Sequence, residues 1–234
     1  YHPRETHVSL GIMNVHPNYF GRGVAGRILD HIREQAELRD LPLRLVSSAL
    51  NLDSYSLYNR AGFVPFAIYQ DLLLQVPTKG FPEEEREGLL DVREAEPSDL
   101  LAMGQIEFEV SGISRERDYC YFMENSSGIW QTLVATDAEG TVQGFLVSSD
   151  HAASRMIGPG VSRTPEAAEA LLRVQWERFR GRSVVFLLPA NQPDLVGVAY
   201  AAGARNCEMH FGQVLGEAQP ITGVVMPSFL PESG

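Results

Sequence analysis

Apolar positions along the chain change period in a regular way. Residues 6–15 (THVSLGIMNV) read as a mostly apolar strand, and Pro17, which cannot donate to a ladder, marks the end. Past the loop Asn18-Tyr19-Phe20-Gly21-Arg22-Gly23 the period lengthens. Val24, Ile28, Leu29, Ile32 and Ala36 recur at helical spacing up to the breaker Pro42. Residues 43–48 read as a second strand, 54–60 as a short helix closed by Ala61-Gly62, and 63–76 as a pair of strand-like runs.

Residues 77–88 (PTKGFPEEEREG) turn polar and carry two prolines, two glycines and an acidic run, the composition of a linker. Periodicity resumes with a strand at 89–94, a helix from Pro97 behind the cap region 96–99, and a second helix near 115–124. Residues 133–135 and 142–147 alternate as a hairpin across 137–140. A strand ends in Ile157-Gly158-Pro159-Gly160-Val161. Thr164-Pro165-Glu166 then caps a helix reaching Arg180. A strand at 184–188, a helix at 194–202 ended by Gly203, and strands at 207–211 and 222–226 complete the chain.

The second stretch therefore ends as the first does: strand, helix, strand, glycine-closed helix, two strands. Tyr58-Asn59-Arg60-Ala61-Gly62-Phe63 has its echo in Ala199-Tyr200-Ala201-Ala202-Gly203-Ala204, and a diverged duplication accounts for both. The expected fold is α/β with a mixed sheet in two tandem units, 1–76 and 89–234, joined by the linker 77–88. Only the first unit keeps a glycine loop.

Length and composition narrow the function. With 234 residues, 44% hydrophobic and 21% charged, the chain is an ordinary globular protein of one large or two modest domains. A net charge of -11 sets a repulsive mean field against a phosphate backbone, which argues against nucleic acid. Residues 1–90 carry 9 basic and 11 acidic groups, whereas 91–234 carry 10 and 19, a surplus that attracts a cationic substrate or basic partner besides serving solubility. Cys120 and Cys207 form no CxxC pair, the apolar runs are strand-sized, and the first residues lack a signal-peptide pattern. Free thiols, a cytoplasmic location and no membrane span are the expectation. His2, His7, His16, His31, His151 and His210 show no HxxxH or HxH spacing, so no metal site is expected. Trp130 and Trp176 read as core. The polar run Gly112 to Tyr119 reads as a substrate loop or a solvated helix start.

Chemistry concentrates at the glycine loop. Gly21, Gly23, Ala25 and Gly26 stand where a strand gives way to a helix, so bare backbone N–H groups can point at an anion such as a pyrophosphate; a tight turn chosen for packing is the alternative. The run GRGVAG is neither a Walker loop nor a dinucleotide GxGxxG.

Strand, Val15-x-Pro17, the GRG-x-A loop, helix, strand, then Asn51-x-x-Ser54-x-x-Leu57-Tyr58-x-x-x-Gly62-Phe63 resembles the GNAT superfamily of acyl-CoA-dependent N-acetyltransferases. The resemblance implies acetyl-CoA as co-substrate. Ile12, Met13, Asn14 and Val15 would run beside its pantetheine arm. Phe20, Gly21, Arg22, Gly23, Val24, Ala25 and Gly26 would hold its pyrophosphate, with Gly23 and Ala25 on the last two positions of the family's Q/R-x-x-G-x-G/A. Phe20 stands where Gln or Arg is usual. Asn51 would bind the arm, with Ser54 nearby, and Tyr58 would be the general acid, a phenol of pKa about 10 that is protonated at neutral pH. The front strands and helices that such a domain carries before its glycine loop are not in this sequence, and an incomplete sequence explains that better than a second unit supplying the missing walls, because a half sheet would expose a long edge strand. The second unit resembles a complete member whose motif has decayed to Gly158-Pro159-Gly160-Val161-Ser162-Arg163-Thr164-Pro165, because Pro165 lacks an amide and Thr164 caps the others. The implied activity is acyl transfer to a primary amine of a small cationic molecule by direct attack, and a homodimer is compatible with it. The competing class is a non-catalytic acyl-CoA sensor or interaction module. His7 is a candidate proton acceptor.

Overall fold

The computed structural model describes residues 1–83 and 88–228. In chain order the elements are β1 (His2–Pro3), β2 (Val8–Ser9), α1 (Val24–Glu37), β3 (Leu43–Ser48), α2 (Leu52–Arg60), β4 (Val64–Gln75), β5 (Asp91–Glu94), α3 (Leu100–Ser111), α4 (Glu116–Glu124), β6 (Trp130–Thr136), β7 (Val142–His151), β8 (Ser154–Ser162), α5 (Pro165–Glu177), β9 (Ser183–Pro189), α6 (Pro193–Ala201), β10 (Arg205–Leu215) and β11 (Val224–Met226). All these strands join one mixed sheet in the order β1-β2-β3-β10-β4-β9-β8-β7-β6-β5, with β11 on β8.

The repeat read from the sequence is present, β2-α1-β3-α2-β4 and β8-α5-β9-α6-β10, but the last strand of each unit is exchanged. β10 lies antiparallel between β3 and β4, and β4 antiparallel between β10 and β9. Gly62 (φ +97°) and Gly203 (φ +93°) end the helices before these strands in the left-handed conformation that glycine adopts without penalty, so both exchanged strands leave their helices by the same turn. The two runs expected over 63–76 are one twelve-residue strand.

Exchange mixes the cores. Leu72 and Leu74 from the end of β4, and Val76 just after it, are buried with Trp176, Leu171, Phe186 and Leu188 of the second unit. Reciprocally, Leu215 from the end of β10 packs on the first unit's cluster of Val8, Leu10, Leu29, Ile32, Leu43, Leu45, Tyr58 and Phe63. Each such side chain contributes roughly 1.5–3 kcal/mol by leaving water. Neighbouring residues of β7 serve opposite faces, Leu146 in the α5 layer and Phe145 with Met103, Ile106 and Tyr119 of α3 and α4, as a period of two requires. Residues 84–87 of the expected linker lie outside the described residues. Its earlier part is docked, with the Phe81 N–H donating to Glu177 Oε1 at 2.9 Å and its ring packing on Trp176.

A buried polar joint ties the start of the chain to α3 and α4. Thr6 Oγ1 accepts from the Ser114 N–H at 2.9 Å, Arg4 pairs with Asp118 at 2.5 Å, and Arg44 donates to Ser111 O at 3.4 Å. Behind them Glu107 accepts from Arg115 Nε at 2.7 Å and from the Tyr119 hydroxyl, all three out of solvent. The run from Gly112 leads from the end of α3, where Gly112 takes the left-handed conformation, into the start of α4, with Arg115 buried and Glu116 and Arg117 exposed. His7 is fully buried in this joint, and burial, then Arg44, Arg115 and Arg4, push its pKa down to about 2.

Because the cores share strands, Leu29→Ala in the first unit is expected to cost about 2–5 kcal/mol and to shift the urea midpoint read from fluorescence of Trp176 in the second. Independent units would leave that midpoint in place. The unfolded His7 imidazole gains a proton below about pH 6.5 and the folded one does not until about 2, so stability falls as pH drops through that window. His210, also lowered, adds to the fall, and Asp71, whose pKa is raised to about 6, opposes it between its ordinary value and 6. In His7→Gln, urea unfolding at pH 7, 6 and 5 is expected to show a slope shallower by up to about 1.4 kcal/mol per pH unit.

Candidate functional site

The first unit's strand-to-helix junction is open at two places. Parallel pairing of β2 with β3 ends early: the Val8 N–H donates to Pro42 O at 2.9 Å and the Leu10 N–H to Arg44 O at 2.8 Å, the last such bond among the described residues. The strand expected over 6–15 is therefore laddered only at Val8–Ser9. Beyond it burial still alternates, with Gly11, Met13 and Val15 half-buried and Ile12, Asn14 and His16 exposed, so this segment presents an unpaired backbone edge. Ile12 is 68% exposed, while Met13 packs against the cluster that holds Tyr58.

The second opening is the N-terminus of α1. Its cap residue Gly23 (φ +75°) makes no side-chain bond, and the first helical bond runs from the Arg27 N–H to Gly23 O at 3.1 Å. The amides of Val24, Ala25 and Gly26 thus have no partner within the helix, and no acidic residue sits in the first turn. A Cβ added at Gly21, Gly23 or Gly26 would meet nothing within 4 Å. Bare amides, the positive end of a helix and free space together fit a pyrophosphate. Phe20 is 66% exposed beside them, and Arg22 stacks on Tyr19 at 5.3 Å.

α2 carries the remaining expected residues. Asn51 caps it, Oδ1 accepting from the Ser54 N–H at 3.0 Å, so that oxygen is committed to the helix. Tyr58 is buried with its ring 5.7 Å from that of Phe63, and burial raises its pKa, which keeps the phenol a proton donor. Tyr55 packs on Phe211 of β10, so the exchanged strand also supports this helix. His7 does not serve as the proton acceptor suggested by its sequence position, since three arginines and full burial hold it neutral and too weak a base to take an ammonium proton.

The corresponding junction of the second unit is closed. β8 and β9 pair only at Met156–Val185 and Ile157–Phe186 before diverging. β11 lies along the freed edge of β8, opposite the edge held by β7, with Met226 against Gly160 and Val224 against Ser162, and both side chains are buried. A Cβ at Gly158 would meet Pro227 O at 2.6 Å. At α5, Thr164 Oγ1 accepts from the Ala167 N–H at 3.3 Å, and Pro165 has no amide to offer. The decay of the motif is legible in sequence, but nothing there announces that residues 224–226 fold back into the opening.

An "Acetyltransferase (GNAT) family" model matches residues 1–63, and an "Acetyltransferase (GNAT) domain" model matches residues 109–213. No curated protein matches the chain. Among solved structures, a proposed acetyltransferase from Pyrococcus horikoshii is 19% identical over 94% of this chain and 68% of its own, with a TM-score of 0.66. A GCN5-related N-acetyltransferase from Sphaerobacter thermophilus is 20% identical over 86% of this chain and 70% of its own, at 0.55. A tandem GNAT protein from the clavulanic acid biosynthesis pathway is 16% identical over 88% and 74%, at 0.54. At such identities the likeness is one of fold. With a GNAT model on each half and the strand-helix repeat present twice, the chain belongs to the GNAT superfamily and has its tandem fold.

Proposed function

We propose that the chain is an acyl-CoA-dependent N-acyltransferase that moves an acetyl or similar group to a primary amine of a small cationic molecule, using the first unit alone. The observation that carries this reading is the contrast between the two junctions: one offers uncapped amides and an unpaired edge, the other is filled by β11 and capped by Thr164. Acyl-CoA would supply the activated thioester. The amides of Gly21 to Gly26 hold its pyrophosphate, the edge Met13-Asn14-Val15 takes the amides of its arm, and Asn51 and Ser54 border the arm from the start of α2. Tyr58 holds the proton that the departing sulfur needs, and its burial keeps that proton in place near neutral pH. The acidic surplus of residues 91–234 favours a cationic acceptor, over the about 8 Å that physiological salt leaves unscreened. No helix among the described residues is long and apolar enough to cross a membrane, and Cys120 and Cys207 are free thiols, as suits the cytoplasm.

Calorimetric titration of acetyl-CoA into the full chain is expected to show micromolar binding that is lost in Gly26→Glu. Gly26 has ordinary φ and open space around its Cβ position, so this variant folds while placing a negative charge in the cradle. In Tyr58→Phe, coenzyme A affinity is expected to stay and turnover, read as thiol release over a panel of amines, to fall by about a hundredfold or more. Binding without turnover by the intact chain would favour the sensor reading; absence of binding would overturn both.

A further inference from the structure

The exchanged strands bring together three side chains that lie far apart in sequence. Asp71 on β4 is paired with Glu208 on β10, and Tyr69 with His210, so Glu208 and His210, two residues apart on one strand, share a face with Asp71 across the ladder. One ligand atom from each of Asp71, Glu208 and His210 lies within 4.8 Å of the other two, and His210 Nδ1 stands 3.9 Å from Asp71 Oδ2. Asp71 is 6% exposed and its Oδ1 has no hydrogen-bond partner. Burial, then the charge of Glu208, push its pKa up to about 6; burial also lowers His210, keeping the imidazole neutral and able to bind. Glu208 Oε1 is already fixed, by the Ser48 hydroxyl and by the Leu50 N–H at 3.5 Å, an outer shell that orients the carboxylate.

A buried carboxylate oxygen with no donor, beside a second carboxylate and a neutral imidazole, is costly as it stands and is stabilised by a cation. We propose that Asp71, Glu208 and His210 bind one divalent transition-metal ion, with Zn2+ and Mn2+ matching the mixed oxygen and nitrogen donors. Such an ion ties β4 of the first unit to β10 of the second at the end of β3, where the chain turns toward α2. This site is independent of the acyl-transfer reading. A search for paired histidines misses it, because its donors come from two strands that only the exchange makes neighbours.

The test is calorimetric titration of ZnCl2 and MnCl2 into the chelator-stripped full chain, with circular dichroism to verify that each variant is folded. One ion per chain is expected, with a higher melting temperature in its presence. Asp71→Asn, which keeps shape and removes charge, and His210→Ala are each expected to weaken binding by more than the roughly 10- to 100-fold that losing an outer-shell partner costs. Cys207→Ser, which removes the exposed thiol next to Glu208, is expected to leave the affinity unchanged. Absence of binding for both ions, an affinity in Asp71→Asn and His210→Ala unchanged from that of the intact chain, or loss confined to Cys207→Ser would each overturn the proposal.

Discussion

The antiparallel pairing of β4 with β10 is the constraint on which the molecule depends. Each strand ends one unit and completes the other, so neither hydrophobic cluster closes on its own chain segment. Leu72, Leu74 and Val76 leave water only by entering the cluster around Trp176, and Leu215 only by reaching that around Tyr58. A sheet running through both units follows directly. So does the position of α2, whose Tyr55 rests on Phe211 of the exchanged strand.

On this shared sheet the two units meet the same problem in opposite ways. A parallel strand pair that diverges leaves backbone groups without partners, and those groups must find another strand, solvent or a ligand. In the second unit the chain supplies the strand: β11 pairs with β8 and buries Val224 and Met226. In the first unit the edge from Gly11 to Val15 stays unpaired and the amides of α1 stay uncapped. The proposed division of labour, one unit for the co-substrate and one for support, rests on this difference in who satisfies the same backbone.

Where the units meet, polar groups are buried rather than excluded. Arg115 and Tyr119 both donate to one carboxylate oxygen of Glu107, and Arg4 with Asp118 and Thr6 with Ser114 pin the start of the chain to α4 and its approach. His7 is the cost of this arrangement, a neutral imidazole held beside arginines. Asp71 stands at the other end of the same seam, its Oδ1 still without a donor.

Much of this was legible in the residues. Helical spacing from Val24 to Ala36, the glycine-closed helices before Gly62 and Gly203, the duplication, the glycine loop and the tyrosine of α2 are local features, because capping, periodicity and left-handed glycines act within a few residues. The same locality explains the decay of the second junction, where Thr164 caps the Ala167 N–H and Pro165 removes one donor from the first turn of α5. Strand partners are different. The pattern over 63–76 says that the run is extended, and nothing in it says that its far half is buried in the other unit. Nor does the run 224–226 show that it fills the second opening, or the spacing of six histidines that His210 will face Asp71. Hydrogen bonding between strands depends on which edges are left free once every helix has buried its apolar face, and that is settled only when the whole chain is packed.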